Sequence, residues 1–302
     1  MAQTVFIAGA GGYLGGHAVQ HFASRDWRVI GAGRSDPDNV AASCDAFHVV
    51  DFSDAERLAD LIEDSAPDVV ISLAAPSSVG HSVSHPLDDF NAHVTPTVNL
   101  LEAIRMSQAP ARVILVSSAA VYGDPRQLPV GETAHTSPIS PYGFHKRHQE
   151  LLFDQYARIH GVRCSKARVF STYGERLRRL AVHDIAKRAL AGDRSVHGTG
   201  DETRDYLYAD DVARALLCIA ERAAFEGEAI NVASGEEVSV RELASKIFSL
   251  LGIDEAPQFT GKTFPGNPLH WRADVTRLQQ LGFEAKWDAG LARTVRWITE
   301  NA

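Results

Sequence analysis

The chain has 302 residues, 45% of them hydrophobic and 23% charged, an ordinary balance for a soluble globular protein with a sizeable core. Its formal net charge of −8 and lack of a long basic run speak against a nucleic-acid surface, but leave room for a small anion held by one or two arginines. No apolar stretch is long enough to span a bilayer, the N-terminus lacks a signal peptide's basic start, and the three cysteines Cys44, Cys164 and Cys218 form no CxxC pair, so incidental thiols in the reducing cytoplasm are expected.

In chain order, Val5–Ala10 is a continuous apolar run, followed by glycines and then helical spacing over Leu14–Ser24. Arg28–Gly33, Ala46–Phe52 and Asp68–Ala75 read as buried strands, with Leu58 to Ile62 on a helix between the last two. Leu87–Met106 reads as a long helix and Arg112–Tyr122 as another strand. Ser140-Pro141 starts a helix running to about Ile159, with Ser as N-cap and Pro at the first helical position. Val162–Phe170 is a sixth strand; helices follow at Leu180–Ala191, Asp211–Arg222 and Ser239–Leu251, and Gln258–Arg272 is a wrapping loop. Strand–helix alternation predicts an α/β fold, a doubly wound parallel sheet of Rossmann type, with right-handed crossovers. Residues 1–170 form the dinucleotide-binding domain and 171–302 a smaller, mainly substrate-binding α/β region; whether the chain re-enters the first domain near 203–235 stays open.

The run Gly9-Ala10-Gly11-Gly12-Tyr13-Leu14-Gly15 lies between the first strand and the first helix. Glycines there let backbone approach a pyrophosphate, and the helix N-terminus offers free N–H groups. Asp51, beside Phe52 at the end of the third run, is a candidate for the adenine amino group; its alternative is a helix cap. Leu73, Ala74 and Ala75 end the fourth strand with small side chains, leaving room for a cofactor. The second strand ends Gly33-Arg34-Ser35, with no acid before Asp36. Arginine there suits a 2′-phosphate, so NADP(H) is favoured over NAD(H), unless Arg34 is a solvated surface charge.

Tyr142 and Lys146 are four apart and share a helix face. A phenol titrates near pH 10, and a nearby ammonium lowers that value, so Tyr142 can exchange a proton with a hydroxyl while hydride moves to or from a nicotinamide. Lys146 is also placed to hold the nicotinamide ribose, and Ser118 to bond the same oxygen as Tyr142. No metal site is expected: His17 and His21 share a helix face without an acidic partner in the sequence pattern and read as surface residues. His81 and His85 are candidates for the sugar pocket or plain loop residues. His145 is expected to point away from the nicotinamide, and Asp210-Asp211 to cap a helix.

These residues, with Ser117-Ser118-Ala119-Ala120-Val121-Tyr122-Gly123, Tyr142-Gly143-Phe144-His145-Lys146, Phe170-Ser171-Thr172-Tyr173-Gly174, Thr203-Arg204-Asp205-Tyr206, Asp210-Asp211-Val212 and Asn231-Val232-Ala233-Ser234-Gly235, make the chain resemble the extended short-chain dehydrogenase/reductase family, especially its nucleotide-sugar branch. The resemblance covers nearly the whole chain. It implies Ser118, Tyr142 and Lys146 as catalytic residues, with Gly9, Gly12, Tyr13, Leu14, Gly15, Arg34, Asp51, Phe52, Leu73, Ala74, Ala75, Tyr142 and Lys146 around the cofactor. Ser118, Ser171, Arg204 and His81 would face the substrate, Arg204 on its diphosphate; the alternative for Arg204 is a salt bridge to Asp201 or Glu202. It also implies a homodimer through Leu87–Met106 and Pro141–Ile159.

Where the family's dehydratases, and usually its decarboxylases, carry acids after the catalytic Ser or Thr, this chain has Ala119 and Ala120. Ser171 stands for the usual Asn, Phe264 for a second diphosphate arginine (with Lys262, Arg176, Arg178 or Arg272 as substitutes), and His93 for a cofactor-contacting Asn. What remains is chemistry of hydride and one proton at C4 of a nucleotide-activated sugar. A 4-ketoreductase using NADP(H) is the leading reading. An NAD-dependent 4-epimerase is the alternative. A non-catalytic dinucleotide-binding regulator comes next, and an RNA-binding relative is disfavoured by charge.

Overall fold

The computed structural model describes residues 2–35, 40–107, 111–262 and 268–302. Seven parallel strands form one sheet: β1 (Thr4–Ala8), β2 (Arg28–Gly33), β3 (Ala46–Val49), β4 (Val69–Ser72), β5 (Arg112–Ser118), β6 (Cys164–Val169) and, far later in the chain, β11 (Glu226–Val232). The spatial order is β11-β6-β5-β4-β1-β2-β3. All five residues of β1 are buried, as a continuous apolar run requires of a strand covered on both faces. The direction of winding reverses between β1 and β4, and in such sheets ligands bind in the crevice at that switch point.

Helices α1 (Tyr13–Ala23) and α7 (Ala209–Arg222) pack together over one face, around Phe22, Trp27, Leu216 and Phe283. On the other face lie α2 (Ala55–Ser65), α4 (Pro86–Met106) and α5 (Pro141–His160), around Leu58, Ile62, Leu101 and Phe153. Helix α5 starts as its sequence predicts: the Ser140 hydroxyl accepts from Gly143 N, and Pro141 opens the helix. The chain does return to the sheet, through α7 and β11. The remaining elements build a separate apolar cluster around Ile185, Tyr206, Leu243, Ile247, Trp287 and Val295. They are β7 (Ser171–Tyr173), α6 (Leu180–Leu190), β8 (Ser195–Val196), β9 (Thr203–Arg204), β10 (Tyr206–Tyr208), β12 (Val238–Ser239), α8 (Val240–Leu250), β13 (Gln258–Phe259) and α10 (Leu291–Glu300), whereas α9 (Thr276–Gln280) packs beside β11 and buries Leu278 in the cluster around Phe22 and Phe283.

Several expectations are corrected. The fifth strand ends at Ser118, and Ala119–Val121 turn in a short 3-10 helix. The segment expected as a loop after Gln258 includes β13, paired with β8; Asp36 and Phe264–Gly266 lie outside the described residues. A short helix, α3 (Val79–Ser84), replaces the loop after β4. Tyr208, not Asp210-Asp211, is the N-cap residue of α7. Asp210 instead takes His17 Nδ1 at 2.5 Å, and Asp211 takes Arg214. His17 is therefore buried rather than on the surface, because α7 covers the α1 face that carries it. Among the described residues, no helix is long and apolar enough to cross a membrane.

Candidate active site

At the tip of β1 the chain turns within the glycine run. Gly9 has φ +88°, and a Cβ there would lie 2.7 Å from the Leu73 carbonyl carbon. A Cβ on Gly15 would stand 2.1 Å from the Gly9 carbonyl oxygen. Both positions exclude any side chain, so the backbone of turn, helix and β4 tip meets directly. Gly12 is the N-cap of α1 and supplies no side-chain acceptor to its first turn. Those N–H groups, with the helix dipole behind them, fit a pyrophosphate. Tyr13 and Leu14 open the helix, and Leu73, Ala74 and Ala75 face it as half-buried backbone.

Arg34 is exposed just past β2. Asp51 is exposed too, and its carboxylate accepts from Ser53 N at 2.9 Å. That bond above all holds its pKa below the usual carboxylate value, with Arg34 a smaller contributor. Phe52 is buried, its carbonyl accepting from Asn99 at 2.9 Å. The cap of α2 is Asp54, not Asp51.

Ser118 ends β5, and Tyr142 and Lys146 occupy the first turns of α5, which packs against that strand end. Tyr142 and Lys146 are both buried. Burial pushes the Tyr142 phenol up, against a hydrogen bond with Ser118 and the charge of Arg179. The Lys146 ammonium donates to the Val116 carbonyl at 3.0 Å, 6.0 Å from the Tyr142 ring centre. Its pKa is lowered to about 8 by burial, opposed by Asp89 and then Glu150. The lowering influence expected of Lys146 on Tyr142 is thus exerted by Ser118 and Arg179. Below, burial would raise Glu150, but two bonds from Arg168 (2.9 and 2.8 Å) and one from Ser117 hold it down. Breaking such a buried pair typically costs ~3–5 kcal/mol, so it fixes α5 to the sheet under Lys146.

Arg179 is a residue the sequence reading did not single out. Its guanidinium donates to Ser77 O at 2.7 Å and Ser77 Oγ at 2.6 Å. Loop 174–179 is thereby tied across to the segment after β4, beside Tyr142. His81 is exposed and stacks on His85 with ring centres 4.7 Å apart; its α3 neighbour Ser82 is the one that bonds α5, accepting from Tyr142 N at 3.0 Å. Ser171 is half-buried in β7, opposite Tyr206.

The Arg204 guanidinium makes no salt bridge to Asp201 or Glu202: Asp201 pairs with Arg241, and Glu202 accepts from Thr199 and Gly200 N–H groups. Among the described residues, Arg204 bonds only carbonyls, of Thr203 and Leu269, and lies 5.7 Å from the Trp271 ring centre. Trp271 in turn donates to Gly123 O at 3.1 Å, just past the Ser118 turn. Burial disfavours the Arg204 charge, which an anionic ligand would compensate. Among the substitutes, Arg176 packs on Gly16 of α1, Arg178 on Trp297, and Arg272 donates to Gly235 O; Lys262 is exposed. Next to Arg204, Asp205 staples the substrate region, accepting from Ser234, Gly235 and Ala273.

The pattern describing the NAD dependent epimerase/dehydratase family matches residues 5–233. The chain belongs to this family. Its fold matches that of the family's enzymes, NAD(P)-dependent nucleotide-sugar epimerases and dehydratases. The UDP-glucose 4-epimerase of Mycolicibacterium smegmatis is 32% identical, over 98% of this chain and 98% of that protein. The structure of the Thermotoga maritima UDP-glucose 4-epimerase with UDP-glucose superposes with a TM-score of 0.89 at 26% identity, covering 99% of each chain. The Bacillus cereus UDP-glucuronic acid 4-epimerase, solved with UDP-glucuronic acid and NAD, gives 0.89 at 25% identity, over 99% of this chain and 100% of that one.

Proposed function

We propose that this family member is an NAD-dependent 4-epimerase of a UDP-hexose, rather than the NADP-dependent 4-ketoreductase favoured by Arg34. The observation that carries the reading is the site's economy: a buried Tyr142 near Ser118 at the β5 end, Lys146 beside it, and alanines where elimination would need an acid. Such a set handles one proton at one hydroxyl and has no further group at 119 or 120 to expel water. When bound, NAD supplies the acceptor and donor of the hydride. Tyr142 takes the proton of the C4 hydroxyl and returns it; Ser118 shares the same oxygen and orients it. Arg179 supplies the positive charge that favours a phenolate on Tyr142, and Lys146, fixed on the Val116 carbonyl, would hold the nicotinamide ribose. Arg204 holds the diphosphate, with Ser171 and His81 nearer the sugar.

Two observations favour NAD. Arg34 shares its surroundings with the Asp51 carboxylate, whose charge opposes a 2′-phosphate, and the B. cereus neighbour was solved with NAD. An epimerase regenerates its cofactor, so it can retain it. Denaturing the purified protein and identifying the released dinucleotide by mass tests this: bound NAD is expected. A protein that carries none and binds only NADPH supports the reductase instead. The exposed Leu87 (69%), Phe90, Phe144 and Leu151 on α4 and α5 further support a homodimer through these helices, with sedimentation as its check.

A further inference from the structure

Between α4 and α5, against Tyr142, lies a buried polar cluster that this reaction scheme leaves unused. Asp89 and His93 are almost fully buried, and His145 nearly so. His145 Nδ1 meets Asp89 Oδ2 at 2.6 Å. His93 Nδ1 bonds the Asp89 backbone carbonyl at 2.7 Å and lies 3.5 Å from the same Oδ2. A carbonyl only accepts, so Nδ1 carries the proton, and Nε2 of the neutral ring is a lone pair. That Nε2 is buried and makes no hydrogen bond among the described residues; neither does Asp89 Oδ1. The ring stands edge-on to Tyr142, centres 5.5 Å apart. Burial and the Lys146 charge together push His93 down to about 4, so it stays neutral in the corner between Tyr142 and Lys146.

Lys146 has three N–H groups and spends one on Val116 O. The groups facing it are Val116 O from β5, Tyr142 and Glu150 from α5, and Asp89 and His93 from α4; Ser118 and Arg179 act on Tyr142. Around Asp89 stand His145, His93 and the His85 carbonyl, with His148 next to His145. Glu150 is already saturated by Arg168 and Ser117. Asp89, with one oxygen unbonded, is the negative charge left to balance the ammonium. A buried cation without a counter-charge is costly.

We propose that Asp89 is the counter-ion of Lys146 and a positioning residue for proton transfer, its carboxylate anchored by His145 and packed against the neutral imidazole of His93, which fills the corner beside Tyr142. The proposal rests on Tyr142 and Lys146 as the proton-transfer pair. Its test is the pH profile of kcat/KM for UDP-galactose in the wild type, Asp89→Asn, Asp89→Glu and His93→Leu. The alkaline limb reports loss of the ammonium. It should fall by about one pH unit in Asp89→Asn, the lower end of what a close opposite charge does, leaving about fivefold less activity at pH 8 for an ammonium that starts near 8. Asp89→Glu should restore part of the shift, and His93→Leu should move the limb the same way by less. In the cofactor-free protein, a 13C NMR titration of lysine Cε, assigned with Lys146→Met, should show the same displacement. An unmoved limb with activity lower at every pH would make the cluster purely structural and overturn the proposal. Should Asp89→Asn not fold, the limb of His93→Leu decides between the same two outcomes. Full turnover in Tyr142→Phe or Lys146→Met would instead remove the underlying reading.

Discussion

Replacing Gly15 by alanine places one methyl group inside the first strand–helix turn, and the structure gives the size of the conflict. The new Cβ would stand 2.1 Å from Gly9 O, 2.8 Å from Ala10 O and 2.9 Å from Ala10 Cα. All three neighbours are backbone, so no flexible side chain can swing aside. Ordinary contact begins at 3.4 Å, which requires turn and helix to part by roughly 1.3 Å. Forced overpacking of this kind costs ~1–3 kcal/mol. The displaced amides are those assigned to the pyrophosphate, so the loss should appear in binding as well as in stability. Isothermal titration with NAD is expected to show at least about a tenfold weaker Kd, since ~1.4 kcal/mol is tenfold. Thermal unfolding should come several degrees lower. Gly80→Ala is the control: a Cβ there meets nothing within 4 Å, so both quantities should stay put. Wild-type NAD affinity in Gly15→Ala, alongside a lowered Tm, would show that the turn is structural and that the dinucleotide binds elsewhere.

Lys146→Met should abolish turnover and flatten the pH dependence of Tm between about 8 and 10.5. Burial holds the ammonium near 8, against an ordinary 10.5, so the native state binds fewer protons than the unfolded chain between those values. This group's contribution to stability therefore improves as pH rises through that window and is unfavourable below it; a pH dependence of Tm that is unchanged in the variant across that window would contradict the argument. Arg204→Ala should raise KM for the nucleotide sugar by tenfold or more, as loss of a charged hydrogen bond worth ~1.5–3 kcal/mol implies, while NAD affinity stays unchanged in titration. Arg34→Ala should leave NAD affinity within about twofold, because an exposed charge contributes little; a large loss confined to NADP(H) would restore the 2′-phosphate role.

What the sequence made legible was local. The apolar run of β1, the glycine turn, and the Ser140-Pro141 start of α5 each depend on neighbours a few residues away, and so does the shared face of Tyr142 and Lys146. Contacts between distant segments were not legible. His17 and Asp210 are 193 residues apart, and only the return of the chain through α7 joins them. Arg179 reaches Ser77 across 102 residues, and His145 reaches Asp89 across 56. Some of the missed signal was present: Leu291, Val295 and Ile298 are buried at helical spacing in α10. The preference for NADP(H) rests on Arg34 and on the lack of an acid before Asp36, without the nearby Asp51 charge that the folded chain supplies.

The most direct measurement of the central claim is to incubate the purified protein with UDP-galactose, without added dinucleotide, and follow the anomeric proton signals by NMR. Appearance of the C4 epimer UDP-glucose up to a fixed equilibrium ratio, approached equally from UDP-glucose, is the predicted result. No interconversion of either sugar, even with NAD supplied, together with NADPH oxidation when a UDP-4-keto sugar is offered, would contradict it.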